Sequence, residues 1–230
     1  MKVRDAYEDI SKYYDAHRNR SPYFRIIEDL TRRCFLENTQ GKSFDRGLDI
    51  GCGTGRNLPL FMNTCREVRG MDYTPAMLEH AKREYANHEQ VRLMIGDAQA
   101  LPFCDRSFEL VASFKALPHV PDIERALAEI HRVAKDGATI FTEFYSPYSF
   151  RKLLNRMKHY TKWHSVQEAK GLLEGAGFKV KQVYGLRTFI ATEYLCYLPG
   201  AYRLFNYLEN RFTHSALNRF SGYYIIVSEK

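Results

Sequence analysis

Regular alternation of strand and helix patterns from Arg46 onward predicts a doubly wound α/β fold. Two further observations point the same way. The first clear strand runs straight into a glycine-rich turn, and each later strand pattern is separated from the next by a helix or a turn signal. Crossovers of that kind return helices to both faces of a parallel sheet.

Residues 1–35 read as helical, in two amphipathic stretches split at Ser21-Pro22, where Ser21 can cap and Pro22 can fill the first turn. A strand to Ile50 follows, then a helix after Gly55, a strand "EVRGMD" and a helix from Pro75 to about Tyr85. Next come the strands "VRLMIGD" and "SFELVASF", a helix from Asp122 to Ala134, and the strand "ATIFTEFY" after the turn Asp136-Gly137. Beyond Pro147 a helical stretch is expected to about His159. A helix "SVQEAKGLLEGAG", stopped by Gly175 and Gly177, precedes the strand "FKVKQVYG", and "GYYIIVSEK" closes the chain as a strand.

At 230 residues the chain suits one domain, here 1–230, with 1–40 as an N-terminal helical lid, 41–185 as core, 186–221 as an insertion and 222–230 as the last strand. Hydrophobic residues at 45% and charged ones at 27% describe a folded globular protein. The charged N-terminus lacks a signal-peptide core, and no apolar run is long enough to cross a bilayer. Five scattered cysteines without a C-x-x-C pair fit reduced thiols in the cytoplasm. The histidines show no ligand spacing, so no metal is expected. A net charge of +7 spread along the chain, without a basic tail, makes nucleic acid an unlikely partner.

The glycine turn is "GLDIGCGTGRN", Gly47 to Asn57. Glycine lets backbone approach a ligand at a strand end, the usual place for nucleotides in parallel sheets. Gly51 and Gly53 have the dinucleotide spacing, but Arg56 stands where its last glycine belongs, and no P-loop string occurs. Asp72 ends the second strand, where a carboxylate can accept from two ribose hydroxyls.

"LDIGCGTG", "GMDYTPAMLEHAKR" and "GDAQALPFCDRSFELV" together resemble the class I S-adenosylmethionine-dependent methyltransferases, in their small-molecule branch. The resemblance extends through "VASFKALPHVPDIERALAEIHRVAKDGATIFTEF", with Pro118 and Asp136 as mild departures. It implies a Rossmann-like seven-stranded fold and S-adenosylmethionine as cofactor, leaving S-adenosylhomocysteine as product. It also implies cofactor contacts from Asp49, Gly51, Cys52, Gly53 and Gly55 of the turn, Asp72 and Tyr73 at ribose and adenine, and Met77. Asp97 and the Ala98 amide would read the adenine edge, and Phe114 and Lys115 would line the far side.

Asp49 is expected to fix the turn by accepting backbone N–H bonds, and to meet the cofactor's amino group; an ordinary turn carboxylate is the alternative. Tyr7, Tyr13, Tyr14 and Asp15 resemble a lid stretch in which Tyr14 would contact the cofactor carboxylate, unless the tyrosines only pack a helix on the sheet. His119, Glu143 and Tyr145 are candidate acid–base or orienting groups, although methyl transfer from a sulfonium needs little proton chemistry.

Residues 186–221, "LRTFIATEYLCYLPGAYRLFNYLENRFTHSALNRFS", interrupt the last strand pair with aromatics, leucines and Arg187, Arg203, Arg211 and Arg219. They read as a cap helix, with an interfacial surface for a lipid-linked or quinone-like acceptor and a homodimer contact as alternatives. The function expected is methyl transfer to a small molecule. RNA or protein methylation, and a regulatory module that binds the cofactor without catalysis, are the rivals.

Overall fold

The structure is a computed structural model that describes residues 3–148, 161–187, 195–198, 200–215 and 221–230. The helical stretch expected after Pro147, as far as His159, lies largely outside these residues, as does much of the insertion, Arg219 included.

The chain opens with α1 (Val3–Ile10), a short 3-10 turn, α2 (Tyr14–Arg20) and α3 (Pro22–Thr39). Ser21 caps α3 by accepting from the Phe24 amide, and Pro22 occupies its first turn. The core then runs β1 (Phe44–Ile50), α4 (Leu58–Met62), β2 (Cys65–Asp72), α5 (Pro75–Glu84), β3 (Val91–Ile95), β4 (Phe108–Ser113), α6 (Ile123–Val133) and β5 (Ala134–Tyr145). It ends with α7 (Val166–Gly175), β6 (Lys179–Leu186), α8 (Ala201–Phe212) and β7 (Tyr223–Glu229).

The seven strands form one sheet in the order β3-β2-β1-β4-β5-β7-β6. β1 to β5 are parallel, whereas β7 runs antiparallel to both β5 and β6. The sheet is therefore mixed: β7 returns to the gap between β5 and β6 as the second arm of a long hairpin, so no crossover helix follows β6. The expected turn at Asp136-Gly137 is a bulge inside β5. Gly137 has φ +79°, and the β4 pairing jumps from Phe108↔Ala134 to Leu110↔Thr139.

Each sheet face carries its own core. α6 and α7 cover one face through residues such as Leu127, Ile130 and Leu173, while α3, α4 and α5 cover the other through Ile27, Phe35, Phe61 and Leu78. Phe35 is fully buried, stacks on Phe141 of β5 with centroids 5.1 Å apart, and meets Phe61 of α4 at 5.2 Å. This aromatic set seats α3 on the sheet, and α3 in turn carries α2 over the strand ends.

The helix expected directly after Gly55 starts only at Leu58 and lasts five residues. Arg187 also departs from expectation. It is buried, with its guanidinium over the rings of Tyr23 and Tyr223 at 5.6 and 5.7 Å, so it is a core cation and no part of an exposed surface.

Phe35→Ala should remove about 3–5 kcal/mol of stability. Urea unfolding checks this, and a loss below about 1 kcal/mol would mean that α3 is seated by other contacts.

Candidate active site

Parallel α/β sheets place ligands at the carboxyl ends of their strands, where the strand order reverses; here that point lies between β1 and β4. A cavity of about 1430 Å³ opens there. Its floor is the turn Gly51–Thr54, its near wall the ends of β2 and β3, and its far wall Phe114, Lys115 and His119. Tyr7, Tyr14, Asp15 and Arg18 roof it from α1 and α2.

The turn is built by three glycines with positive φ: +75° at Gly51, +56° at Gly53 and +88° at Gly55. A Cβ on Gly51 would lie 2.2 Å from that of Ala116, so this position combines a left-handed backbone with close packing. The turn's amides are largely spent within the protein. Gly51 and Cys52 donate to the Met71 carbonyl, Gly55 to Cys52, and Gly53 to Asp72 Oδ2 at 2.8 Å. A phosphate-binding turn needs such amides free, and it needs a helix N-terminus behind them, which the late start of α4 does not supply. The turn therefore suits a ligand without phosphates.

Asp72 also accepts from the Thr74 amide through Oδ1 at 2.8 Å. Burial raises its pKa, against the pull of the Thr74 and Gly53 amides. Asp97 holds the Gln99 backbone and side-chain amides at 2.9–3.1 Å, so its carboxylate already faces an amide donor of the kind an adenine amine presents. Ala98 and Met77 are buried in the cavity wall, whereas Tyr73 is exposed at its rim.

Asp49 departs from expectation: it accepts no backbone bond of the turn. Asp72 performs that task from the neighbouring strand. Asp49 is 1% exposed, and neither carboxylate oxygen has a partner among the described residues. Burial, with a smaller contribution from the Asp72 charge, pushes its pKa up to about 8. A buried, unpartnered carboxylate beside the cavity floor fits a cofactor that brings an ammonium group. Gly55 lies just outside the cavity lining, packed on Tyr85 and Leu58.

On the far side Lys115 is held at φ +61°, a conformation unusual for a side chain with a Cβ. It lines the cavity and makes no hydrogen bond or ion pair among the described residues. Burial, then the Arg18 charge, lowers its pKa to about 8, while Glu143 opposes the shift. Glu143 is fully buried on β5 with both oxygens unpartnered, and burial raises its pKa against the pull of Lys115 and Arg18. Glu143 and Tyr145 thus stand behind the wall and not on it. His119 Nε2 lies 3.3 Å from the Tyr7 hydroxyl and Nδ1 lies 3.4 Å from Thr161 Oγ1, with Tyr145 edge-on to its ring.

A clamp that the sequence did not suggest ties the roof to the floor. Glu28 of α3 accepts from Arg18 and from Arg56, the residue after the third glycine, at 2.8–3.2 Å. Asp15 accepts from Arg56 and from Thr54, both at 3.0 Å. Burial would raise the Glu28 carboxyl, but hydrogen bonding to Arg56 and the Arg18 charge outweigh it and hold its pKa low. Arg56 had a signal in its place beside the glycines; its partners, 28 and 41 residues earlier, had none.

A doubly wound sheet with a glycine turn unsuited to phosphate and strand-end carboxylates on β2 and β3 suits a nucleoside ligand. The chain is a class I S-adenosylmethionine-dependent methyltransferase. Residues 48–142 match the methyltransferase domain family. The demethylmenaquinone methyltransferase of Staphylococcus aureus is 29% identical over 85% of this chain and 92% of its own. Among solved structures, a chain from the complex of the Haloferax volcanii Trm112 methyltransferase activator with a methyltransferase has the same fold. It aligns with TM-score 0.73, 22% identity and coverage of 99% and 97% of the two chains. An S-adenosylmethionine-dependent methyltransferase of Thermotoga maritima aligns with TM-score 0.65, 22% identity and 99% coverage of each chain.

The raised Asp49 pKa gives a stability test. A carboxyl whose folded pKa exceeds its unfolded value contributes stability at low pH that is lost as pH rises, here through the window from 3.8 to about 8. Asp49→Asn should remove that contribution to the decline. The cofactor-free variant should gain on the wild type as pH rises toward 8, read from urea midpoints across the range; parallel curves would show that Asp49 is ionised throughout.

Proposed function

We propose that the enzyme methylates a small, hydrophobic, lipid-linked acceptor of quinol-like chemistry, entering between the roof helices and the far wall. The carrying observation is the cavity, whose volume exceeds the roughly 300–1,000 Å³ of a typical small-ligand site. It therefore accommodates a cofactor at the glycine turn and an acceptor beside it. The acceptor side is aromatic: Tyr7 lies 6.4 Å from Tyr14 and 5.8 Å from His119 between ring centroids, with Phe114 nearby. Such walls hold flat apolar rings, and the demethylmenaquinone methyltransferase relative supports the same class of acceptor.

In this reading Asp49 accepts from the cofactor ammonium, Asp72 from the ribose hydroxyls, and Asp97 with the Ala98 amide from adenine, while Tyr14 closes over the methionine end. S-adenosylmethionine supplies a methyl group already activated on a positively charged sulfur. The chain's remaining work is to align the acceptor and to take its proton. Lys115 is the group suited to that: it lines the cavity, lacks a partner there, and burial brings its amine near neutrality, where a general base is effective. Glu143 beneath it compensates the ammonium that forms. His119, hydrogen-bonded to Tyr7 and Thr161, orients the roof against the acceptor.

Two measurements test these roles. Cofactor binding near pH 7 should release a proton as Asp49 ionises, seen by calorimetry in buffers of different ionisation enthalpy. Asp49→Asn should abolish the release and weaken binding about 10- to 100-fold, the worth of a charged hydrogen bond. With a soluble naphthoquinol acceptor, kcat/KM should rise with pH through a midpoint near 8 and level off above it. Lys115→Met should lower it by about 10²–10⁴ and remove that limb. A limb that survives in Lys115→Met and vanishes in His119→Asn would transfer the role to His119.

A further inference from the structure

Ten large hydrophobic side chains are exposed among the described residues, and five of them, Leu195, Tyr197, Leu198, Leu204 and Tyr207, fall within one short segment. The segment is the turn before α8 and the first half of α8 itself. On a helix Arg203, Leu204, Tyr207 and Arg211 project within about 100° of one another, and all four are exposed, Leu204 by 55% and Tyr207 by 65%. The opposite face is committed to the protein. It buries Phe205 and Glu209 and carries Tyr202, which donates to Asp29, while Asn210 at the flank accepts from Arg33 of α3. α8 is therefore firmly seated and presents a second apolar face outward.

We infer that this outward face docks on an anionic lipid surface. Leucine and tyrosine flanked by arginine suit the boundary between headgroups and acyl chains, where the apolar side chains insert and the cations stay at the phosphates. Arg203 and Arg211 make no ion pair among the described residues, so their charge is available to anionic headgroups, as is the net +7 of the chain. The same two arginines disfavour a second copy on this face, because a self-complementary contact would bring like charges together. The helix that carries this face adjoins the site: Asp29, which anchors its inner side through Tyr202, lines the rim of the cavity. Docking would thus bring the cavity rim to the bilayer from which a lipid-linked acceptor must be taken.

The inference rests on the lipid-linked reading of the acceptor for its purpose, but its test does not require turnover. The full chain is floated with phosphatidylcholine vesicles with and without phosphatidylglycerol, and methyl transfer to a soluble naphthoquinol is measured separately. Wild type should float with the anionic vesicles, and less so at high salt. Leu204→Glu with Tyr207→Glu should abolish flotation, and loss of each arginine, Arg203→Gln or Arg211→Gln, should weaken it about fivefold. All variants should bind S-adenosylmethionine as the wild type does, which shows that they fold. Wild type that stays in solution, or variants that float equally well, would overturn the docking face while leaving the acceptor reading intact. Loss of self-association in the Leu204/Tyr207 variant, without vesicle binding by wild type, would assign the face to a second copy. Failure of methyl transfer to the naphthoquinol with intact flotation would overturn the acceptor reading alone.

Discussion

The site depends on one carboxylate that is used by the backbone before any ligand arrives. Asp72 receives the Gly53 amide from the turn after β1 and the Thr74 amide from the start of α5, joining the two loops. Three positive-φ glycines close together would otherwise be a costly stretch to order, since glycine loses the most conformational freedom on folding. Because Asp72 and the Met71 carbonyl satisfy the turn's donors internally, the turn meets a ligand mainly through shape and carbonyl groups. Its chemistry is thereby biased toward a neutral or cationic ligand and away from phosphate.

That bias continues into the arrangement of charge. Asp49, Asp72 and Asp97 lie at the ends of β1, β2 and β3, whereas Arg18 lies on the roof, Arg56 beside the floor turn and Lys115 on the far wall. The two arginines are neutralised by Glu28 and Asp15, which makes them structural links between roof and floor. Asp49, Lys115 and Glu143 lack such direct partners, and burial moves each of them toward its neutral form. Leaving them unpaired costs stability, as does the left-handed backbone at Lys115, which carries a penalty of about 1–3 kcal/mol. Groups held this way are compensated by packing elsewhere and are ready to respond to a charged ligand.

The sheet and its turn were legible because they are governed by local rules. Strand ends such as Ile50, Asp72 and Tyr145, the cap at Ser21 and the stop at Gly175 each follow from residues within a few positions. The misread features all depend on distance. Asp49 looked like the turn carboxylate because it is nearest in sequence, yet Asp72 reaches the Gly53 amide from 19 residues away. Arg187 looked interfacial among aromatics, but those that hold it, Tyr23 and Tyr223, come from opposite ends of the chain. Lys115 lines the cavity, but nothing adjacent in sequence announces Glu143 behind it.

The same division separates what the fold must keep from what it can vary. Cofactor-side residues sit on consecutive strand ends, where the parallel sheet itself sets their spacing, so few sequences satisfy the geometry and those that do are recognisable. The opposite side of the cavity is assembled from α1, α2 and the loop after β4, elements joined to each other and to the glycine turn by long-range ion pairs and aromatic contacts. Placing α8 in the β6–β7 hairpin adds a large outward surface at no cost to the crossovers that build the sheet, and anchoring it through Asp29 couples that surface to the rim of the reaction cavity.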